Sequence, residues 1–186
     1  MGFALDTFGN AYVITRYGQN TASFHNTLTV KFSTANGAVL WAQRYIGGPR
    51  HNIPEDIKID QNNNIYVVGS SDSALLCIKY NSAGDSIWVR KYQPAGFCSA
   101  SACTIDDSLN IIMTGTRTHC VSMPPPGACF DTLLAIKYSQ NGELRWARTY
   151  SHPGNPSFNA GVKVICDQFG SAYVGGRTRP NIGTHK

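Results

Sequence analysis

The chain has 186 residues, a formal net charge of +5, and only 15% charged residues against 42% hydrophobic and 11% aromatic ones. Low charge with abundant aromatics excludes a disordered chain. The absence of heptads, and of any apolar run near the ~20 residues that a membrane helix needs, excludes a coiled coil and a helical membrane span. The sixteen Lys and Arg residues are scattered singly, so no nucleic-acid-binding patch is expected.

From the N-terminus, LDTFGNAYVIT (Leu5 to Thr15) places a turn-forming D-x-x-G-N before an apolar strand. TVKFSTANGAVLWAQRY follows as two strands around an Asn-Gly turn. The pair then returns as IDQNNNIYVVG (Ile59 to Gly69) with CIKYNSAGDSIWVRKY. It returns again as IDDSLNIIMTG (Ile105 to Gly115) with AIKYSQNGELRWARTY, and its first half closes the series as CDQFGSAYVGG (Cys166 to Gly176). Asp6, Asp60, Asp106 and Asp167 mark one recurrent position, at spacings of 54, 46 and 61 residues. Lys31, Lys79 and Lys137 mark another, and Gly37, Gly84 and Gly142 a third. Trp41, Trp88 and Trp146 each stand four residues after those glycines, and Tyr45, Tyr92 and Tyr150 four residues later still.

Each unit reads as four short strands, and no segment has a sustained helical period. The units span approximately 1–47, 53–94, 99–152 and 160–186. Strand cores such as AYVI, IYVV and IIM are apolar at successive positions, so both faces need cover. A radial array of four-stranded antiparallel sheets provides that cover without helices. The predicted fold is therefore all-β: a single partial β-propeller domain over 1–186, with about three and a half blades and about fourteen strands. An open arc leaves a sheet face and strand edges bare. The expectation is a fragment of a longer chain, completed by its remaining blades, or a chain that assembles with copies of itself.

The pattern D-x-x-G-N-x-Y-V-x-G followed by x-x-K-Y-x-x-x-G-x-x-x-W resembles the bacterial SBBP-type beta-propeller repeat. Asp6, Gly9, Asn10, Tyr12 and Val13 carry it first, then Asp60, Asn64, Tyr66, Val67 and Gly69, with Lys79, Tyr80, Gly84 and Trp88 completing the series. The third unit departs from it, with Leu109 for the Gly and Ile112 for the Tyr, which predicts a weaker turn there. The resemblance implies a secreted or surface-attached bacterial product without an assigned activity, although no signal peptide is present in this sequence. The quinoprotein-type propeller is the second relative, since it also places Gly four residues before a Trp. No quinone-binding or calcium constellation accompanies it here, so no cofactor is expected.

The recurrent residues admit structural and chemical readings. The four aspartates suit Asx-type turns better than calcium loops, which need denser carboxylates. The Trp and Tyr series suits blade packing better than a sugar platform. The recurrent Lys suits a stem lying along an edge with its amine in water. Cys77 and Cys166 lie in apolar strand patterns and read as small buried residues. Cys120 and Cys129 flank the loop VSMPPPGA and form the candidate disulfide; a Cys98–Cys103 pair is the less favoured alternative. The histidines, His25, His51, His119, His152 and His185, read as isolated in loops, and cysteine and histidine spacings give no zinc-knuckle pattern. No nucleophile stands beside a plausible base.

The expected function is that of a non-catalytic extracellular or cell-surface scaffold that binds a protein or glycan through its loops. The longest variable ones are Gln19–Thr27 and Thr116–Asp131. A propeller-type polysaccharide hydrolase or lyase is the enzymatic alternative and requires clustered carboxylates near the axis.

Overall fold

The computed structural model describes residues 2–18, 25–48, 51–121, 128–151 and 158–179. Residues 19–24 of the first expected loop and 122–127 of the second, together with His152 and His185, lie outside the described residues.

Fourteen strands are described, and they form sheets in chain order. Blade 1 comprises β1 (Gly2–Leu5), β2 (Ala11–Tyr17), β3 (Asn26–Phe32) and β4 (Val39–Tyr45). Blade 2 comprises β5 (Asn52–Ile59), β6 (Ile65–Ser71), β7 (Ala74–Tyr80) and β8 (Ser86–Tyr92). Blade 3 comprises β9 (Phe97–Ile105), β10 (Ile111–Val121), β11 (Ala128–Tyr138) and β12 (Leu144–Tyr150). A half-blade follows, with β13 (Phe158–Cys166) and β14 (Ala172–Arg179). Every neighbouring pair is antiparallel. The structure is all-β, as the repeat implied.

The first strands β1, β5, β9 and β13 contact one another in succession and form the inner wall. Faces pack in the same order, since β5 lies against β2 and β3, β9 against β6 and β7, and β13 against β10 and β11. Double cover explains the unbroken apolar runs. In β7 every residue is buried, and β6 is buried at all but one position. The core accordingly forms two layers. Tyr12 and Ile14 of blade 1 meet Ile57, Ile65, Val67, Leu76 and Ile78 of blade 2. Tyr66, Val68, Leu75 and Cys77 on the opposite face of blade 2 meet Cys103, Ile111, Met113, Leu134 and Ile136 of blade 3.

A bulge recurs on the inner strands. Pairing skips Glu55, Ser101 and Val162, and the residue opposite the step is Gly69, Gly115 or Gly176. A Cβ on Gly69 or Gly115 would sit against the carbonyl of Ile53 or Ser99, so only glycine fits where the bulged backbone crowds its partner. These glycines stand nine residues after Asp60, Asp106 and Asp167, whereas Thr15 holds that place after Asp6. That offset is the sequence signal for the bulge.

The Thr116–Asp131 stretch is not simply a loop. Its flanks extend β10 and β11 to 11 residues each, against 7 for β6 and β7. The alternating Thr pattern of TRTH suits a two-stranded ribbon, in which Thr118 donates to Asp131 at 2.6 Å across the pair.

Candidate functional site

The four aspartates organise four alike turns. Asp6 Oδ1 accepts the amides of Phe8 (3.0 Å) and Asn10 (2.8 Å). Asp60 does so for Asn62 and Asn64, Asp106 for Ser108 and Asn110, and Asp167 for Phe169 and Ser171. The carboxylate thus replaces water for backbone donors that the turn leaves unpaired. Each turn needs one left-handed residue: Gly9, Asn63, Leu109 or Gly170. Leu109 adopts φ 61° and its turn keeps the full hydrogen-bond set, so the expected weakening appears as backbone strain and not as a lost turn.

Burial alone would push the Asp6 carboxyl up. Bonds from Asn10, Tyr12 and Lys31 outweigh it and hold the group below the ordinary 3.8. Asp106 follows the same logic: burial opposes, and Lys137 Nζ at 2.7 Å with Asn110 prevails. Tyr12 donates its hydroxyl to Asp6 Oδ2 at 3.0 Å. Burial raises the Tyr12 hydroxyl well above its usual range, and this bond adds to the shift.

The lysines contradict the expectation of water-facing amines. Lys31 and Lys79 are buried. Lys31 Nζ lies 3.3 Å from Asp6 and 3.4 Å from the Ser82 carbonyl of the next blade, and Lys79 Nζ donates to the Gln140 carbonyl at 3.0 Å. Each ammonium also lies over the ring of its blade's tyrosine, Tyr12 or Tyr66. A stem emerging beside a carboxylate and a carbonyl finds inward partners that water cannot better, and burial lowers the Lys79 ammonium.

The tryptophans occupy the seams. Trp41 Nε1 donates to Ser82 O at 3.1 Å, and Trp88 Nε1 to Gln140 O at 3.0 Å, each reaching into the following blade. Trp88 is buried, whereas Trp41 and Trp146 are half-buried. Tyr45 and Tyr92 pack on the two core layers, while Tyr150 is exposed beside the half-blade. The carbonyls of Ser82 and Gln140 as acceptors have no side-chain signal, which is why the sequence pointed only to the indoles.

Cys120 and Cys129 face one another on β10 and β11 and are disulfide-bonded, with Cα atoms 4.0 Å apart. Cys98 and Cys103 are free and buried rather than paired; burial pushes the Cys98 thiol up to about 11 and the Cys103 thiol well above its usual value. Cys77 is buried, and Cys166 is half-buried with its Sγ on the Ile105 carbonyl. His25 and His51 are not isolated: their rings stack and their Nδ1 atoms lie 3.2 Å apart at the seam of blades 1 and 2, so one donates and the other accepts.

At the inner wall lies a groove of about 400 Å³, lined by Glu55, Asp56, Lys58, Ser101, Thr104 and Lys163 among others. Its carboxylates are engaged. Asp56 meets Lys58 Nζ at 2.9 Å and accepts the Cys103 amide at 3.0 Å, and Glu55 faces Arg16 at 3.8 Å. Among the described residues, no three of His, Cys, Asp and Glu are placed to hold a metal ion.

Residues 41–76, from the first recurrent Trp through the second Asp turn and β6 into β7, match the model of the SBBP Beta-propeller repeat. The match covers that one segment of the chain. No curated protein matches its sequence. A protein of unknown function from Bacteroides caccae superposes with TM-score 0.54 and 11% identity, covering 88% of this chain and 49% of that one. A catalytically inactive virginiamycin B lyase from Staphylococcus aureus, solved with quinupristin, superposes with TM-score 0.52 and 10% identity, covering 93% and 47%. The likeness is one of fold. The chain spans about half the length of these solved structures.

Proposed function

We propose that this SBBP-repeat chain is a non-catalytic scaffold, secreted or held at the cell surface, which presents a protein- or glycan-binding surface on its loops. One observation carries the reading: the recurrent polar and aromatic residues are consumed by the fold itself. Asp6, Asp60 and Asp106 are saturated by backbone amides and side chains, and Lys31 and Lys79 by carbonyls of the next blade. Trp41 and Trp88 are used the same way. The element that departs from the repeat is the extended β10–β11 hairpin, and its disulfide suits an oxidising compartment. Function in repeat folds concentrates on such departures.

A hydrolase or lyase would use the inner groove, where Asp56 is already tied to Lys58 and the Cys103 amide. A glycan array, a screen against surface-protein ligands and a polysaccharide-turnover panel test the choice. The scaffold reading expects binding without turnover, weakened at least tenfold by His119→Ala combined with Cys120→Ser and Cys129→Ser. Turnover that Asp56→Asn abolishes would contradict it.

A further inference from the structure

Two complete seams show one seating device. Trp41 of blade 1 lies against Gly84 of blade 2, where an added Cβ would come within 2.9 Å of the indole Cδ2. Its N–H and the Lys31 ammonium share the Ser82 carbonyl. One blade on, Trp88 lies against Gly142, where a Cβ would meet its Cδ2 at 3.1 Å, and its N–H shares the Gln140 carbonyl with Lys79. Gly84 and Gly142 have φ of 94° and 80°. The glycine thus does two things: it takes a left-handed backbone and it leaves room for a ring.

Blade 1 carries the same turn, one residue longer. Gly37 has φ 72°, its amide bonds the Ser33 carbonyl at 2.8 Å, and nothing lies within 4 Å of where its Cβ would be. The sheet face continuing from this seat is apolar and bare. Phe3 is 79% exposed and Val13 36%, while their counterparts Ile57 and Val67 in blade 2, and Cys103 and Met113 in blade 3, are at most 2% exposed.

We propose that this face of blade 1 docks a further unit of the same repeat in the same polypeptide. Its outer-strand Trp lies on Gly37, and its indole N–H and companion Lys ammonium reach the carbonyls of Thr34 and Ala35. Continuity with the two filled seams carries the assignment. A second copy of this chain fits less well. Trp146 is the one Trp not seated on a described turn, and β13 already packs on β10 and β11 in the space a second copy's blade 1 would enter. The chain's coverage of about half of the similar solved structures agrees with additional blades.

The test fuses a copy of residues 51–101 directly ahead of Gly2, which keeps the native 18-residue spacing from Trp88 to the next aspartate. The fused chain is expected to be monomeric by light scattering. The added indole N–H should exchange as slowly as that of Trp88, and the thermal midpoint should rise by ~5 °C. Gly37→Asn should erase that gain while Gly170→Asn should not; both glycines have positive φ and open surroundings, and Asn63 at φ 60° shows that asparagine tolerates the backbone. Three results would overturn the proposal. The added indole could exchange freely while the two Asn variants behave alike. The added unit could stay unfolded by circular dichroism. Or the unfused chain could self-associate in a manner lost in Gly37→Asn, which would make a second copy the occupant.

Discussion

Blade 2 and the half-blade of β13 and β14 carry the same motif in opposite surroundings. Tyr66 is fully buried, and Tyr173, at the same offset from its aspartate, is 56% exposed. Yet the turn around Asp167 makes the same amide bonds as the turn around Asp60, and Tyr173 still donates to Asp167 Oδ2 at 3.0 Å. The turn is therefore a local structure that a neighbour is not needed to form. Burial, the Trp seat and the Lys–carbonyl bond are properties of a seam, and they exist only where the next blade is present. Stability should accordingly concentrate at the two seams flanking blade 2.

The largest expected effect breaks a seam. Trp88→Ala should cost ~3–5 kcal/mol in urea unfolding, because it removes a buried indole from the seam and leaves the Gln140 carbonyl with Lys79 as its remaining donor. Trp41→Ala should cost less and Trp146→Ala least, since both are half-buried and only Trp41 has a described seat. Equal costs for the three would dissolve the distinction between seam and end.

Next in size is the contrast between aspartates. Asp106→Asn should cost ~2–3 kcal/mol by calorimetry, because it leaves the Lys137 ammonium without its carboxylate in a largely buried place. Asp167→Asn should leave the thermal midpoint nearly unchanged, since that side chain is only partly buried and an amide oxygen can accept the same two backbone amides. A similar loss at both positions would mean that the turn, and not its burial, sets the energy.

Acid should erode the same contacts. The Asp6 and Asp106 carboxyls titrate below the ordinary 3.8 when folded, so the folded state binds fewer protons than the unfolded state. Their stabilisation is complete at neutral pH and is lost as pH falls below about 4 through the folded values. Denaturant midpoints measured from pH 6 down to 2.5 should show a steeper fall for the wild type than for Asp106→Asn.

The smallest effect concerns strain. Leu109→Gly should raise stability by ~0.5–1 kcal/mol, as it relieves a left-handed leucine while keeping the Tyr66 hydroxyl's bond to the residue 109 carbonyl. A destabilised variant would show that the leucine side chain contributes more by packing than its backbone loses.

The sequence made the repeat, the strand order and the double burial legible, because apolar runs such as IYVV admit no exposed face. Aspartate followed by turn residues likewise marked the hairpins. Partners that lie on the backbone were not legible. The carbonyls of Ser82 and Gln140 decide where Lys31, Lys79, Trp41 and Trp88 point, and a carbonyl is the same in every residue. The sequence alone therefore points the lysine amines to water. The His25–His51 stack joins residues on either side of blade 1's outer strands, a contact set by sheet packing and not by spacing. The β10–β11 extension is hidden in the sequence because Pro-rich VSMPPPGA dominates its composition, while the flanking TRTH and CFDT pair as strands.

Consecutive sheets pack face to face as blades, and Trp41 and Trp88 each sit on the glycine turn of the next blade. Hydrogen–deuterium exchange of the three indole N–H groups, followed by NMR on the 186-residue chain, reads this directly, since each Trp reports one seam. Slowest exchange at Trp88, intermediate exchange at Trp41 and fastest exchange at Trp146 is the predicted order. Uniform exchange at all three, or slowest exchange at Trp146, would contradict it.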